Sequence, residues 1–146
     1  MAERAPPPAF DTLQPGMALP ALVLPRITRH TLALYCGASG DHNPIHVDID
    51  FAKSVGMPDV FAQGMLSAAW LGRLLTNWVP QSAIRSLDVR FAAITHVGEI
   101  ITCTGEVVEA LVHQGQRCVR LKLATANQAG VVKLTGEALV CAGGRP

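Results

Sequence analysis

The sequence predicts an α+β domain in which one buried helix is wrapped by an antiparallel sheet, and three observations carry that reading. Residues 64–79 are apolar at 65, 66, 68, 69, 70, 71, 74, 75, 78 and 79, leaving a narrow polar stripe of Arg73, Thr76 and Asn77. A helix apolar nearly all round belongs inside a core. After Pro80 the spacing of apolar residues changes from the helical period of about 3.6 to the strand period of 2. The alternating segments are joined by short turns at residues 113–116 and 127–130, which suit antiparallel neighbours.

The remaining elements follow in chain order. Six of the ten prolines (Pro6, Pro7, Pro8, Pro15, Pro20 and Pro25) fall in the first 25 residues. Residues 1–20 are therefore expected to be a poorly ordered leader, running into an edge strand at 21–24 and a single domain at 21–142. Residues 28–39 suit a helix, with Thr28 as N-cap and Gly40 in the left-handed position after the last turn. Pro44 keeps the following polar loop out of regular helix. A short helix at 49–55 starts at Asp48 and stops at Gly56.

Strand faces are read from alternation. Leu87, Val89 and Phe91 oppose Ser86, Asp88 and Arg90. Ile101, Cys103, Gly105 and Val107 share a face. Val119, Leu121 and Leu123 oppose Arg120 and Lys122. Val132, Leu134, Gly136, Ala138 and Val140 oppose Lys133, Thr135 and Glu137.

Composition narrows the function. Of 146 residues, 49% are hydrophobic and 16% charged, against roughly 25% charged in an average soluble domain. That excludes disorder and suggests surface hidden in an oligomer. A net charge of +1 offers no basic excess for a phosphate backbone, so nucleic acid is not an expected partner. The most apolar stretch, 65–79, is too short to span a bilayer and is interrupted by Arg73 and Asn77, so no membrane role is expected. The first residues show no apolar signal-peptide core. The four cysteines form no C-x-x-C pair. Four reduced thiols and a cytoplasmic location are expected.

The densest polar cluster is residues 40–50, GDHNPIHVDID, set in apolar surroundings. Asp41 and His46 offer a carboxylate–imidazole pair for general acid–base work. The same residue types also serve as cap and turn chemistry, with His46 as a satisfied loop histidine. His42 and His46 have the i,i+4 spacing of helical zinc motifs, but Pro44 breaks the helix that would align them. No metal site is expected. Gly64 begins the apolar helix, where backbone N–H groups are unpaired and the helix dipole is positive. A glycine there admits a carbonyl oxygen to the backbone, or serves only a tight entry turn.

The string Gly40-Asp41-His42-Asn43-Pro44-Ile45-His46-Val47-Asp48, with Phe61-Ala62-Gln63-Gly64-Met65-Leu66 downstream, resembles the signature of the MaoC-like dehydratases and R-specific enoyl-CoA hydratases. The resemblance runs over residues 28–140 and implies a hot-dog fold. It implies that Asp41 and His46 are the catalytic pair that activates water, that Gly64 offers its N–H to the thioester carbonyl, and that Asn43 supports the loop. The implied substrate is an acyl-CoA or acyl-carrier-protein thioester, with no cofactor. The implied assembly is a homodimer or higher homo-oligomer with sheets joined edge to edge. Two alternatives accompany this reading: a hot-dog acyl-CoA thioesterase, and a subunit that binds acyl-CoA within a hetero-oligomer. Three positions depart from the family pattern: Gln63 for a frequent His, Ile94 for a frequent Pro and Glu99 for a frequent Asp.

Overall fold

A computed structural model describes residues 7–143. Its elements are strand β1 (Leu22–Val23), helices α1 (Arg29–Ser39), α2 (Ile49–Ser54) and α3 (Gly64–Trp78), and strands β2 (Ile84–Phe91), β3 (Ile101–His113), β4 (Gln116–Asn127) and β5 (Val132–Cys141). The strands form one antiparallel sheet in the order β1-β3-β4-β5-β2. This sheet curls round α3, which buries Leu66, Trp70, Leu71, Leu74 and Leu75 against Ile101, Leu121, Leu123 and Leu134. The expected α+β hot-dog arrangement is what the chain adopts.

Local chemistry sets the helix ends as expected. Thr28 caps α1 by accepting from the Thr31 N–H, and Gly40 ends it at φ 74°. Asp48 caps α2 by accepting from the N–H groups of Asp50 and Phe51.

Several expectations need correcting. Helix α3 is not enclosed all round, since Met65 is 58% exposed at its start. The single sheet covers one side of the helix, and its other side carries Met65, Ala69 and Arg73 to the surface. Residues 1–6 of the expected leader lie outside the described residues. Leu13 and Leu19, in its second half, are buried in the core. Gly16 and Leu19 donate to the carbonyls of Val107 and Gly105 on β3. Prolines leave these donors free to pair with a sheet edge, so the segment straps across β3.

Lys133 does not share a solvent face with Thr135 and Glu137. It is 4% exposed. The β4–β5 register pairs Thr125 with Leu134 and Ala126 with Val132, leaving Lys133 as the extra residue of a bulge. The alternation is interrupted there, and Lys133 turns inward while Val132 faces out. Finally, Cys118 and Cys141, register partners on β4 and β5, form a disulfide, leaving Cys36 and Cys103 as free thiols. They lie far apart in sequence, and only strand pairing brings them together.

Candidate active site

The polar cluster is built by three short-range devices. Ser39 at the end of α1 donates from Oγ to the Tyr35 carbonyl and accepts from the Asp41 N–H. Asp41 Oδ1 then accepts from the Asn43 N–H at 3.3 Å. Asn43 Oδ1 accepts from the Ile45 N–H at 3.1 Å, capping the 3₁₀ turn Pro44–His46. Pro44 suits that turn because its missing N–H would have been unpaired.

The turn carries His46 into the protein. Its side chain is 10% exposed, whereas that of Asp41 is 44% exposed. His46 donates from Nδ1 to the Phe61 carbonyl at 2.7 Å, and its ring meets the Phe61 ring edge-on. That bond fixes the tautomer of a neutral imidazole and leaves Nε2 as the free acceptor. Nε2 lies 3.9 Å from Asp41 Oδ2. This is too long for a direct hydrogen bond, yet one water oxygen can sit about 2.8 Å from both atoms.

Gly64 is the first residue of α3. Among the described residues, no backbone carbonyl accepts from its N–H. Its φ is not positive, so backbone conformation alone does not require glycine there. A Cβ there would meet Phe91 Cε1 at 3.0 Å, a tight contact that the exposed ring relieves only by shifting. Gln63, at the N-cap, is fully buried and donates from Nε2 to the Leu32 carbonyl, tying α3 to α1 instead of capping its own helix.

The segment before Gly64 is held from several sides. Arg29 grips both carboxylate oxygens of Asp59; these hydrogen bonds hold that carboxyl below its ordinary range. Ala62 donates to the Thr95 carbonyl, and Phe61 bridges His96. The covering segment that carries Thr95 and His96 is in turn pinned by a buried pair. Lys133 Nζ reaches Glu99 Oε1 and the Ile94 carbonyl, each at 2.8 Å. Burial pushes the Glu99 carboxyl up. The bonds from Lys133, Asn127 and the His96 N–H outweigh it and hold the pKa below its usual value.

The structure thus brings Asp41, Asn43 and His46 into one loop and joins that loop to Gly64 through the Phe61 carbonyl. His42 takes no part. Among the described residues, no three His, Cys, Asp or Glu side chains converge as metal ligands. Sequence reasoning missed the Phe61 carbonyl, since any residue supplies one, and missed the Lys133–Glu99 pair because a bulge hid it. A larger groove of about 680 Å³ runs past Gly72, Thr76 and Leu87, along the C-terminal half of α3 and away from Gly64.

The chain as a whole has counterparts among known proteins. The chain is 35% identical over 122 residues to the fatty acid synthase subunit beta of Saccharomyces cerevisiae, covering 82% of this chain but 6% of that subunit. Over 133 residues it is 29% identical to the (R)-specific enoyl-CoA hydratase of Rhodospirillum rubrum, covering 90% of this chain and 89% of the relative. In structure it matches the unliganded R-hydratase PhaJ1 from Pseudomonas aeruginosa with a TM-score of 0.81 and 27% identity, over 93% of this chain and 86% of that one. The MaoC like domain model matches residues 14–129, from the strap before β1 to the turn after β4, so the chain belongs to the MaoC-like domain family.

Proposed function

We propose that the chain hydrates trans-2-enoyl thioesters of CoA or acyl-carrier protein to (R)-3-hydroxyacyl thioesters, and runs the reverse dehydration. The carrying observation is the pair of acceptors, Asp41 Oδ2 and His46 Nε2, set 3.9 Å apart with Nδ1 already committed to Phe61. Two acceptors on one water orient its lone pair away from them, towards C3 of the substrate. The pair takes one proton from the water and returns one to C2, so H–OH adds across the double bond and nothing else is consumed. No cofactor enters this balance. An enolate develops on the thioester oxygen, and the Gly64 N–H at the positive end of α3 is the donor for it. Asn43 holds the loop in place by capping the turn that bears His46.

The catalytic domain in this reading runs from the strap, whose Leu13 and Leu19 are core residues, to residue 142, and a second copy joins along the β2 edge. Support for that edge comes from Phe91, 56% exposed on β2, with Met65 and Ile94 also exposed. Sedimentation at micromolar concentration should show a species of twice the chain mass, and a lone monomer contradicts it. A cytoplasmic location belongs to the same reading, because acyl-CoA thioesters are made and spent inside cells; the Cys118–Cys141 disulfide, rare in that compartment, is the observation that runs against it. No helix among the described residues is long and apolar enough to cross a membrane.

The test is the purified chain on crotonyl-CoA. Loss of enoyl absorbance with CoA still bound as thioester supports hydration; release of free CoA makes the chain a thioesterase. Activity only after adding a second subunit makes it part of a hetero-oligomer.

A further inference from the structure

Beside Gly64 lies a cavity of about 190 Å³ whose wall includes Phe61, Gly64, Ser67, Phe91, Thr95 and Lys133. It adjoins the catalytic loop, because Phe61 is the residue whose carbonyl holds His46. Ser67 stands three residues beyond Gly64 on α3. Residues at i and i+3 share a helix face, and three residues rise about 4.5 Å. A thioester carbonyl at the Gly64 N–H would therefore direct the acyl chain towards Ser67.

Nothing about a plain alkyl tail calls for the groups found there. Ser67, Thr95 and Lys133 are each 4% exposed. The two hydroxyls lie 3.4 Å apart, well beyond the roughly 2.7–2.8 Å usual for O–H···O. Their mutual bond is therefore weak, and either hydroxyl can turn its hydrogen to a better acceptor in the cavity. Lys133 has three N–H donors and two acceptors, Glu99 and the Ile94 carbonyl. Its charge is already matched by Glu99 at 2.8 Å, so the site offers donors without a net positive charge to spare.

We propose that this cavity selects acyl groups bearing an uncharged oxygen, a ketone or hydroxyl, at about C4. The inference rests on the enoyl-thioester reading of the same site. Ser67 and Thr95 donate to that oxygen, and the remaining Lys133 N–H lies in the same wall. A carboxylate at this position would meet a Lys133 charge already matched by Glu99, with no second cation among the described residues of the wall to offset its desolvation. The small volume, below the roughly 300–1,000 Å³ of pockets for drug-sized ligands, limits the tail to a few carbons.

The experiment is calorimetric binding of saturated CoA thioesters, which have no C2=C3 bond to hydrate. 4-Oxopentanoyl-CoA and 4-methylpentanoyl-CoA differ at C4 alone, where a carbonyl oxygen is replaced by a methyl group and a hydrogen. The whole chain should bind the keto compound about tenfold more tightly, as expected for one or two net hydrogen bonds. Succinyl-CoA should bind more weakly than the keto compound. In the shape-conserving double variant Ser67→Ala/Thr95→Val, the keto advantage should vanish. Equal or tighter binding of 4-methylpentanoyl-CoA by the wild type overturns the proposal, as does an advantage that survives the double variant, tighter succinyl-CoA binding, or no binding of either compound. Crotonyl-CoA hydration is measured separately. Hydration without the keto advantage sinks this inference alone, and a keto advantage without hydration sinks the reaction while the cavity's selectivity stands.

Discussion

His46 donates from Nδ1 to the backbone carbonyl of Phe61 at 2.7 Å, and this bond joins the loop bearing Asp41 to the segment that ends at Gly64. One contact thereby sets the tautomer of the imidazole and the distance between its free nitrogen and the helix start. A side chain in place of the carbonyl could move; a carbonyl held by the Phe61–His96 bridge and the Ala62–Thr95 hydrogen bond cannot move far.

Replacing either member of the pair should therefore be costly to catalysis and cheap to folding. Asp41→Asn and His46→Gln should each lower turnover on crotonyl-CoA by about 10²–10⁴-fold. The double variant should lose little more than the worse single one, because both groups act on one water. Steady-state kinetics with thermal melts on the same preparations give the answer. A variant with near wild-type turnover removes that residue from the pair.

Gly64→Val should lower turnover by about 10²–10³-fold, the usual loss for one oxyanion donor. The new Cβ meets the Phe91 ring, which is exposed and can shift. Since Gly64 has no positive φ, melting temperature should change by only a few degrees. A large melting loss with unchanged turnover of the folded fraction would return Gly64 to a structural role.

The Lys133–Glu99 pair governs acid stability. Glu99 is held below its ordinary carboxyl value of 4.5 in the folded state. Its contribution to stability is thus complete above that value and is lost as pH falls through the lower folded value. Lys133→Met leaves Glu99 without its cation and should cost about 3–5 kcal/mol at pH 7; burial then pushes the Glu99 carboxyl up, so the cost should shrink as pH falls and Glu99 takes up a proton. Urea melts from pH 7 to pH 3 on both proteins check this; a difference that stays constant or grows towards pH 3 would contradict it.

The disulfide is also testable. Two of the four cysteines should react with a thiol reagent in the denatured, non-reduced chain, and all four after reduction. Closing the 23-residue separation constrains the unfolded chain, so reduction should destabilise it by about 3 kcal/mol. A count of four thiols before reduction, in protein isolated without reductant, would mean that Cys118 and Cys141 stay apart.

Much of this was legible in the sequence, for a physical reason. Helix caps at Thr28 and Asp48, the stop at Gly40 and the apolar run of α3 are local, and local chemistry can be read along the chain. The faces of β3 were read correctly because the Ile101, Cys103, Gly105 and Val107 alternation is unbroken. The inward turn of Lys133 was not legible, because a bulge resets the alternation and its partner Glu99 is distant in sequence. Cys118 and Cys141 were misread for the same reason: their meeting depends on register. Of the site, Asp41, Asn43 and His46 stood out as a polar string in apolar surroundings, whereas the Phe61 carbonyl and the Ser67–Thr95 contact have no side-chain signature that marks them in advance.

The central claim is that Asp41 and His46 together add a water molecule to C3 of an intact thioester. Incubation with crotonyl-CoA in ¹⁸O-water, followed by mass spectrometry of the thioester, tests it most directly. The account predicts one heavy oxygen in the 3-hydroxybutyryl group, still joined to CoA, appearing with the wild-type chain and nearly absent with Asp41→Asn or His46→Gln. Heavy oxygen in free crotonate, or equal labelling by the wild type and both variants, would contradict it.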